Sequence, residues 1–187
     1  MEVLATEIEG VLEVRPRIFG DARGFFLETF HADRYAEAGI DCAFVQDNLS
    51  RSPHGVLRGL HLQHPFAQDK LVYVLEGAVY DVAVDVRVGS PTFGQHVGRT
   101  LTAEAKNQLF VPKGFAHGFC VISEGPATFA YKCSDRYAPE HELSVRWDDP
   151  AIGIEWPLDG PPMLSKKDTE GLLLADIPED RLPRYGA

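Results

Sequence analysis

The sequence predicts an all-β chain. Three observations carry that reading: a long alternation of residue character between positions 71 and 88, a series of short apolar runs broken by Gly, Pro, Ser or Asn, and a scarcity of helical periodicity. In the alternating stretch Tyr80, Val82, Val84, Val86 and Val88 share one face, with Asp81, Asp85 and Arg87 on the other. This is the pattern of a half-buried antiparallel strand. Glu76-Gly77 interrupts it and predicts a tight hairpin between residues 71–75 and 79–88, because glycine supplies the positive φ of such turns. Further strands are expected over 95–101, 108–111, 118–122 and 127–133, a spacing typical of sandwiches and barrels. A short helix over 32–38 stops at Gly39. A second opens at Ser165, which stands as N-cap with Asp168 at the third helical position.

With 187 residues, 44% of them hydrophobic, the chain suits one domain spanning 1–187. The Pro-rich stretch 157–162 begins a C-terminal arm, about 157–187, expected to pack on that domain. A formal net charge of -10 argues against nucleic acid or an anionic membrane as partner, so an anionic ligand must be met by a local cluster of Arg and Lys. Cys42, Cys120 and Cys133 are odd in number and form no C-x-x-C pair, which fits a reducing, cytoplasmic setting. The first ten residues carry three glutamates and no basic leader region, and no apolar run is long enough for a membrane span.

The most informative segment is Gly55-Val56-Leu57-Arg58-Gly59-Leu60-His61-Leu62-Gln63. In a regular strand a spacing of three puts Arg58 and His61 on opposite faces, unless the glycines bend the chain. Downstream, Pro112-Lys113-Gly114-Phe115-Ala116-His117 has the P-x-G-x-x-H form of the second cupin motif, in which a turn presents a histidine into a small barrel. A jelly-roll barrel with short peripheral helices is therefore expected. The first cupin motif, H-x-H followed by Glu, is incomplete: Gln63 takes the second His position, His64 lies one place on, and the nearest following acid is Asp69. A metal needs three or four convergent ligands, so none is expected here, and His61 and His117 are left for acid–base work or ligand binding.

Seven blocks occur in order: DARGFFLE from Asp21, QDNLS from Gln46, GVLRGLHLQ, VYDVAVD from Val79, GFAHGF, YKCSDRYAPEHE from Tyr131, and LSKKD ending at Asp168. Together, over about residues 1–170, they resemble the dTDP-4-dehydrorhamnose 3,5-epimerases. The resemblance implies a cofactor-independent isomerase that inverts C3 and C5 of dTDP-4-dehydro-6-deoxy-D-glucose. It assigns His61 as the base, Asp168 as its carboxylate partner, Tyr131 as the proton donor on the opposite face, and Lys70 as the cation beside the developing enolate. Nucleotide and pyrophosphate contacts fall on Arg23, Glu28, Gln46, Asn48, Arg58, His117, Glu142 and Lys167, with Tyr137 against the thymine ring. A homodimer is implied, in which the N-terminal blocks help to complete the partner's site.

Each position also has a plain structural role. Asp168 fits the Ser-x-x-Asp cap, Tyr131 shares a strand face with Phe129 and Cys133, and Lys70 and Arg23 suit solvated positions. His54, His96 and His141 read as surface or structural histidines. The chain departs from the family at Leu62, where an aromatic is usual, and at His64-Pro65-Phe66, which leaves one residue fewer between His61 and Lys70. A 3- or 5-epimerase acting at one carbon, a non-catalytic nucleotide-sugar-binding cupin and a metal-dependent cupin enzyme are the competing readings.

Overall fold

A computed structural model describes residues 1–186, so Ala187, the end of the expected arm, lies outside the described residues. The strands in chain order are β1 (Glu2–Ala5), β2 (Leu12–Arg15), β3 (Ile18–Asp21), β4 (Gly24–Leu27), β5 (Gln46–Ser52), β6 (Leu57–Gln63), β7 (Lys70–Glu76), β8 (Ala78–Asp85), β9 (His96–Thr102), β10 (Gln108–Val111), β11 (Phe115–Val121), β12 (Ala127–Cys133) and β13 (Glu142–Ser144). Two short helices accompany them, α1 (Ala32–Glu37) and α2 (Lys166–Thr169). A six-stranded sheet, β1-β2-β10-β7-β12-β5, faces a five-stranded one, β13-β6-β11-β8-β9, and β3-β4 form a separate ribbon. From β6 onward the chain repeatedly crosses between the two large sheets, as a jelly roll requires.

The alternation of each strand sorts its side chains into layers. Val72 and Val74 of β7, Leu109 and Val111 of β10, Phe115 and Phe119 of β11 and Phe129 of β12 point between the sheets and form the barrel core. The next residues along, Leu71 and Phe110, point outward and pack with Val14 against Tyr35 and Ile40 at α1. The outer face of the five-stranded sheet, with Leu60, Leu62, Val82, Val84 and Ala116, is covered by Leu174, Ile177 and Leu182 of the C-terminal arm.

Two sequence expectations change here. Gly77 does make a turn, with φ of 77°, but β7 and β8 belong to different sheets and are not paired with each other. The expected hairpin is a corner between layers. β8, expected to be half-buried, is buried on both faces because the arm covers one and the barrel core the other. Asp81 and Asp85, read as the solvent side, are 0% exposed. Their burial is met by partners: Asp81 by His117, and Asp85 by Arg87, Ser90 and Thr92.

The register of β6 on β11 slips by one residue. His117 lies opposite His61 and Phe119 opposite Arg58, so two steps on β11 match three on β6. This bulge is made possible by two glycines in contact: a Cβ on Gly59, whose φ is 122°, would lie 2.5 Å from the Gly118 Cα, and one on Gly118 would lie 2.7 Å from the Arg58 carbonyl oxygen. Both obstacles are backbone and cannot swing aside. Gly118→Ala is therefore expected to destabilise the protein by about 2 kcal/mol or more through overpacking, whereas Gly125→Ala, whose Cβ meets nothing within 4 Å, should be close to neutral. Urea midpoints at unchanged m-value measure both, and equal midpoints would refute the close-approach argument.

Candidate active site

The bulge decides what faces the barrel mouth. The extra residue in β6 reverses its parity, so Arg58 and His61 line the same cavity, of about 380 Å³. β5 contributes Gln46, Asn48 and Ser50, β7 contributes Lys70, β11 His117 and Phe119, and β12 Phe129, Tyr131 and Cys133. Tyr137, Glu142, Ser165, Lys167 and Asp168 complete the wall. Every site residue expected from the sequence is in this cavity except Arg23 and Glu28.

His61 Nε2 lies 2.6 Å from Asp168 Oδ1. The same oxygen accepts the Gly59 N–H at 3.2 Å, and Oδ2 accepts the Ser165 hydroxyl at 2.6 Å. Burial alone would raise the Asp168 carboxyl, but the hydrogen bonds from His61, Ser165 and Gly59 and the attraction of His61 outweigh it and bring it to about 2. Asp168 is an anion at neutral pH. Ser165 caps α2 and its Oγ lies 3.3 Å from the Asp168 nitrogen, so the cap seen in the sequence and the histidine partnership occur together in one residue.

Burial chiefly holds the His61 imidazole below its ordinary value, with Lys167 adding to it, against the pull of Asp168 and Glu142. At neutral pH the ring is uncharged, and an Nε2–H given to Asp168 leaves the lone pair on Nδ1. Burial also keeps the Tyr131 phenol protonated, above its ordinary value, and lowers the Lys70 ammonium. Lys70 makes no hydrogen bond or ion pair among the described residues.

Around this centre runs a polar rim. Glu142 accepts Tyr137 Oη at 2.9 Å and Lys167 Nζ at 2.8 Å; burial would raise its carboxyl, but these two partners lower it. The Tyr137 N–H reaches Gln46 Oε1 at 3.0 Å, Gln46 donates to Asn48, and Arg58 Nε–H donates to Ser52 Oγ at 3.1 Å. Tyr137, 53% exposed, stands at the mouth.

Arg23 and Glu28 lie elsewhere. Arg23 sits beyond β3 with its side chain 90% exposed and paired to Asp21 at 2.6 Å, while Glu28 pairs with Arg34. The β3-β4 ribbon that carries Arg23 also exposes Phe19, Phe25 and Phe26.

Two contributors escaped sequence reasoning. Gln63, noticed only as the missing metal ligand, donates to the carbonyls of Phe66 and Arg136 and accepts the Ala138 N–H, tying the 64–68 loop to the segment that carries Tyr137. Asp81 was assigned to the solvent face; its position two residues before Ala83, which lies opposite His117, was the signal that became readable only with the register known.

Comparison with known proteins agrees over nearly the whole chain. A family profile described as dTDP-4-dehydrorhamnose 3,5-epimerase matches residues 5–176. A dTDP-4-dehydrorhamnose 3,5-epimerase of Pseudomonas aeruginosa is 53% identical over 177 residues, covering 94% of this chain and 97% of that one. A dTDP-4-dehydrorhamnose 3-epimerase of Streptomyces niveus is 44% identical, covering 95% and 86%. The crystal structure of a dTDP-6-deoxy-D-glucose-3,5-epimerase from Legionella pneumophila, in complex with dTDP-4-keto-L-rhamnose, superposes with a TM-score of 0.97 at 54% identity, covering 100% of this chain and 99% of that one. A jelly-roll barrel with His61, Asp168, Tyr131 and Lys70 gathered in one cavity, and relatives matched nearly end to end, place this chain in the dTDP-4-dehydrorhamnose 3,5-epimerase family.

Proposed function

We propose that this protein converts dTDP-4-dehydro-6-deoxy-D-glucose to dTDP-4-dehydro-L-rhamnose by inverting C3 and C5. The observation that carries the reading is the His61–Asp168 pair in the same cavity as a protonated Tyr131 and the Lys70 ammonium. Both carbons flank the C4 ketone, so one set of groups serves both. Nδ1 of His61 takes the proton from carbon, the electron pair moves onto the C4 oxygen, and Lys70 stabilises the enolate that forms. Tyr131 returns a proton to the other face of the ring, and the negative imidazole partner, Asp168, offsets the charge gained by His61. Protons leave and arrive in equal number, and no electron is exchanged with a cofactor. Gln46, Asn48, Arg58, His117, Glu142 and Lys167 bind the nucleotide and pyrophosphate, and Tyr137 stacks on the thymine.

Arg23 and Glu28 belong in this reading to the pocket of a second copy. The exposed Phe19, Phe25 and Phe26 beside them support a homodimer in which the ribbon covers the partner. Three free cysteines, two of them buried, suit the cytoplasm. A second reading, inversion at one carbon only, is favoured by the Streptomyces relative and by the shortened loop between His61 and Lys70.

Incubation in D₂O with dTDP-4-keto-6-deoxyglucose decides between them: deuterium at C3 and C5 supports the double inversion, and deuterium at one carbon supports the second reading. His61→Asn should lose roughly 10²–10⁴-fold in rate together with solvent exchange at both carbons. Tyr131→Phe should lose turnover but keep measurable exchange, because the base remains. Exchange at the wild-type rate in folded His61→Asn would refute the mechanism.

The pH profile supplies an independent check. A base must be unprotonated, and burial lowers the His61 value, so the acid limb of kcat/KM should fall below about 6.5, the ordinary histidine value. Asp168 favours the imidazolium, so Asp168→Asn should move that limb to still lower pH while reducing the rate. A cap alone would leave the limb in place.

The dimer is testable by sedimentation of wild type. Arg23→Ala should weaken dTDP binding by about 1.5–3 kcal/mol although Arg23 is outside its own chain's cavity. A fully active monomer would remove this assignment.

A further inference from the structure

A second histidine–carboxylate pair faces the cavity, and the mechanism above makes no use of its carboxylate. His117 Nε2 lies 2.9 Å from Asp81 Oδ1 and 3.0 Å from Oδ2. The two are diagonal neighbours on the inner face, since His117 stands opposite Ala83 and Phe119 opposite Asp81. Asp81 is 0% exposed, among Val79, Ala83 and Phe119, and the His117 ring lies nearly parallel to Phe129 with centroids 6.4 Å apart.

The two pairs differ in how the carboxylate is satisfied. Asp168 receives three donors, from His61, Ser165 and the Gly59 N–H, and can remain an anion beside an uncharged ring. Among the described residues the Asp81 carboxylate accepts hydrogen bonds from one group, the His117 ring. A buried carboxylate with a single partner is costly unless that partner carries the counter-charge. Of the charged groups that share the cavity with His117, Lys70 on β7 lies within electrostatic reach of Asp81, but among the described residues neither it nor Arg58, His61, Tyr131, Glu142 or Lys167 hydrogen-bonds the Asp81 carboxylate. His117 Nδ1 has no protein partner among the described residues, and the ring lines the cavity.

We propose that Asp81 is a positioning residue that holds His117 with both ring nitrogens protonated, Nε2–H given to Asp81 and Nδ1–H presented to an anionic oxygen of the substrate's diphosphate. This rests on the nucleotide-sugar reading above. Two similar pairs thus serve opposite ends: His61 offers a lone pair at Nδ1, and His117 offers a hydrogen.

Nitrogen NMR of ¹⁵N-histidine-labelled wild type, with His117 assigned through its backbone, should show two protonated ring nitrogens at neutral pH. Asp81→Asn should convert that ring to the neutral form and weaken dTDP binding, by calorimetry, roughly 10- to 100-fold. KM should rise by a similar factor with kcat little changed. In a His117→Asn background Asp81→Asn should add no further loss of affinity. A neutral His117 ring in wild type, or losses that simply add, would overturn the proposal. The wild-type spectrum requires no variant to fold, and failure of wild type to bind dTDP would count against the substrate reading while the spectrum still judged the pair.

Discussion

The contact between Gly59 and Gly118 is the constraint on which the site depends. Two adjacent strands come so close that neither can carry a side chain at the crossing, and the one-residue slip there turns Arg58 and His61 to the same side. Without it, a regular β6 would aim one of them into the layer under the C-terminal arm, where Leu60 and Leu62 now pack. The placement of a guanidinium and an imidazole in one cavity is thus a property of backbone packing before it is one of side-chain chemistry.

Charge is managed locally in a chain whose overall charge is -10. That overall charge gives little long-range attraction to an anionic ligand, yet Arg58, Lys70 and Lys167 converge on the cavity with His61 and His117. Each buried carboxylate beneath them is answered by specific donors, and the difference in that answer separates the two histidines. Burial pushes Lys70, His61 and Tyr131 all toward their uncharged forms.

Much of this was legible in the sequence, and what was not falls to short strands and to pairing between layers. The strands expected over 71–75, 95–101, 108–111 and 127–133 fell within a residue of their places, because alternation and turn residues report strands directly, whereas β11 starts three residues before its expected start and β8 ends three before its expected end. α2 was readable from Ser165 and Asp168 alone, and Arg58 with His61 from the glycine-flanked motif. The short strands β1–β4 gave little alternation to read. Pairing was the harder matter: Gly77 marked a turn correctly, but nothing local distinguishes a hairpin from a corner between sheets. For the same reason Asp81 looked solvated, since a polar residue at period two reads as surface until a second layer is known to cover it.

The arm that covers the five-stranded sheet also delivers Lys167 and Asp168, carried on a four-residue helix, to the cavity. Its attachment is peripheral to the barrel core but rests on a cluster of its own through Leu174, Ile177 and Leu182. Detaching that segment would leave a barrel with most of its cavity intact and His61 without the group that fixes its tautomer. The cavity is thus assembled on two separate hydrophobic clusters, the barrel core and the layer under the arm, so that a substitution loosening the second would act on the His61–Asp168 pair without touching the first.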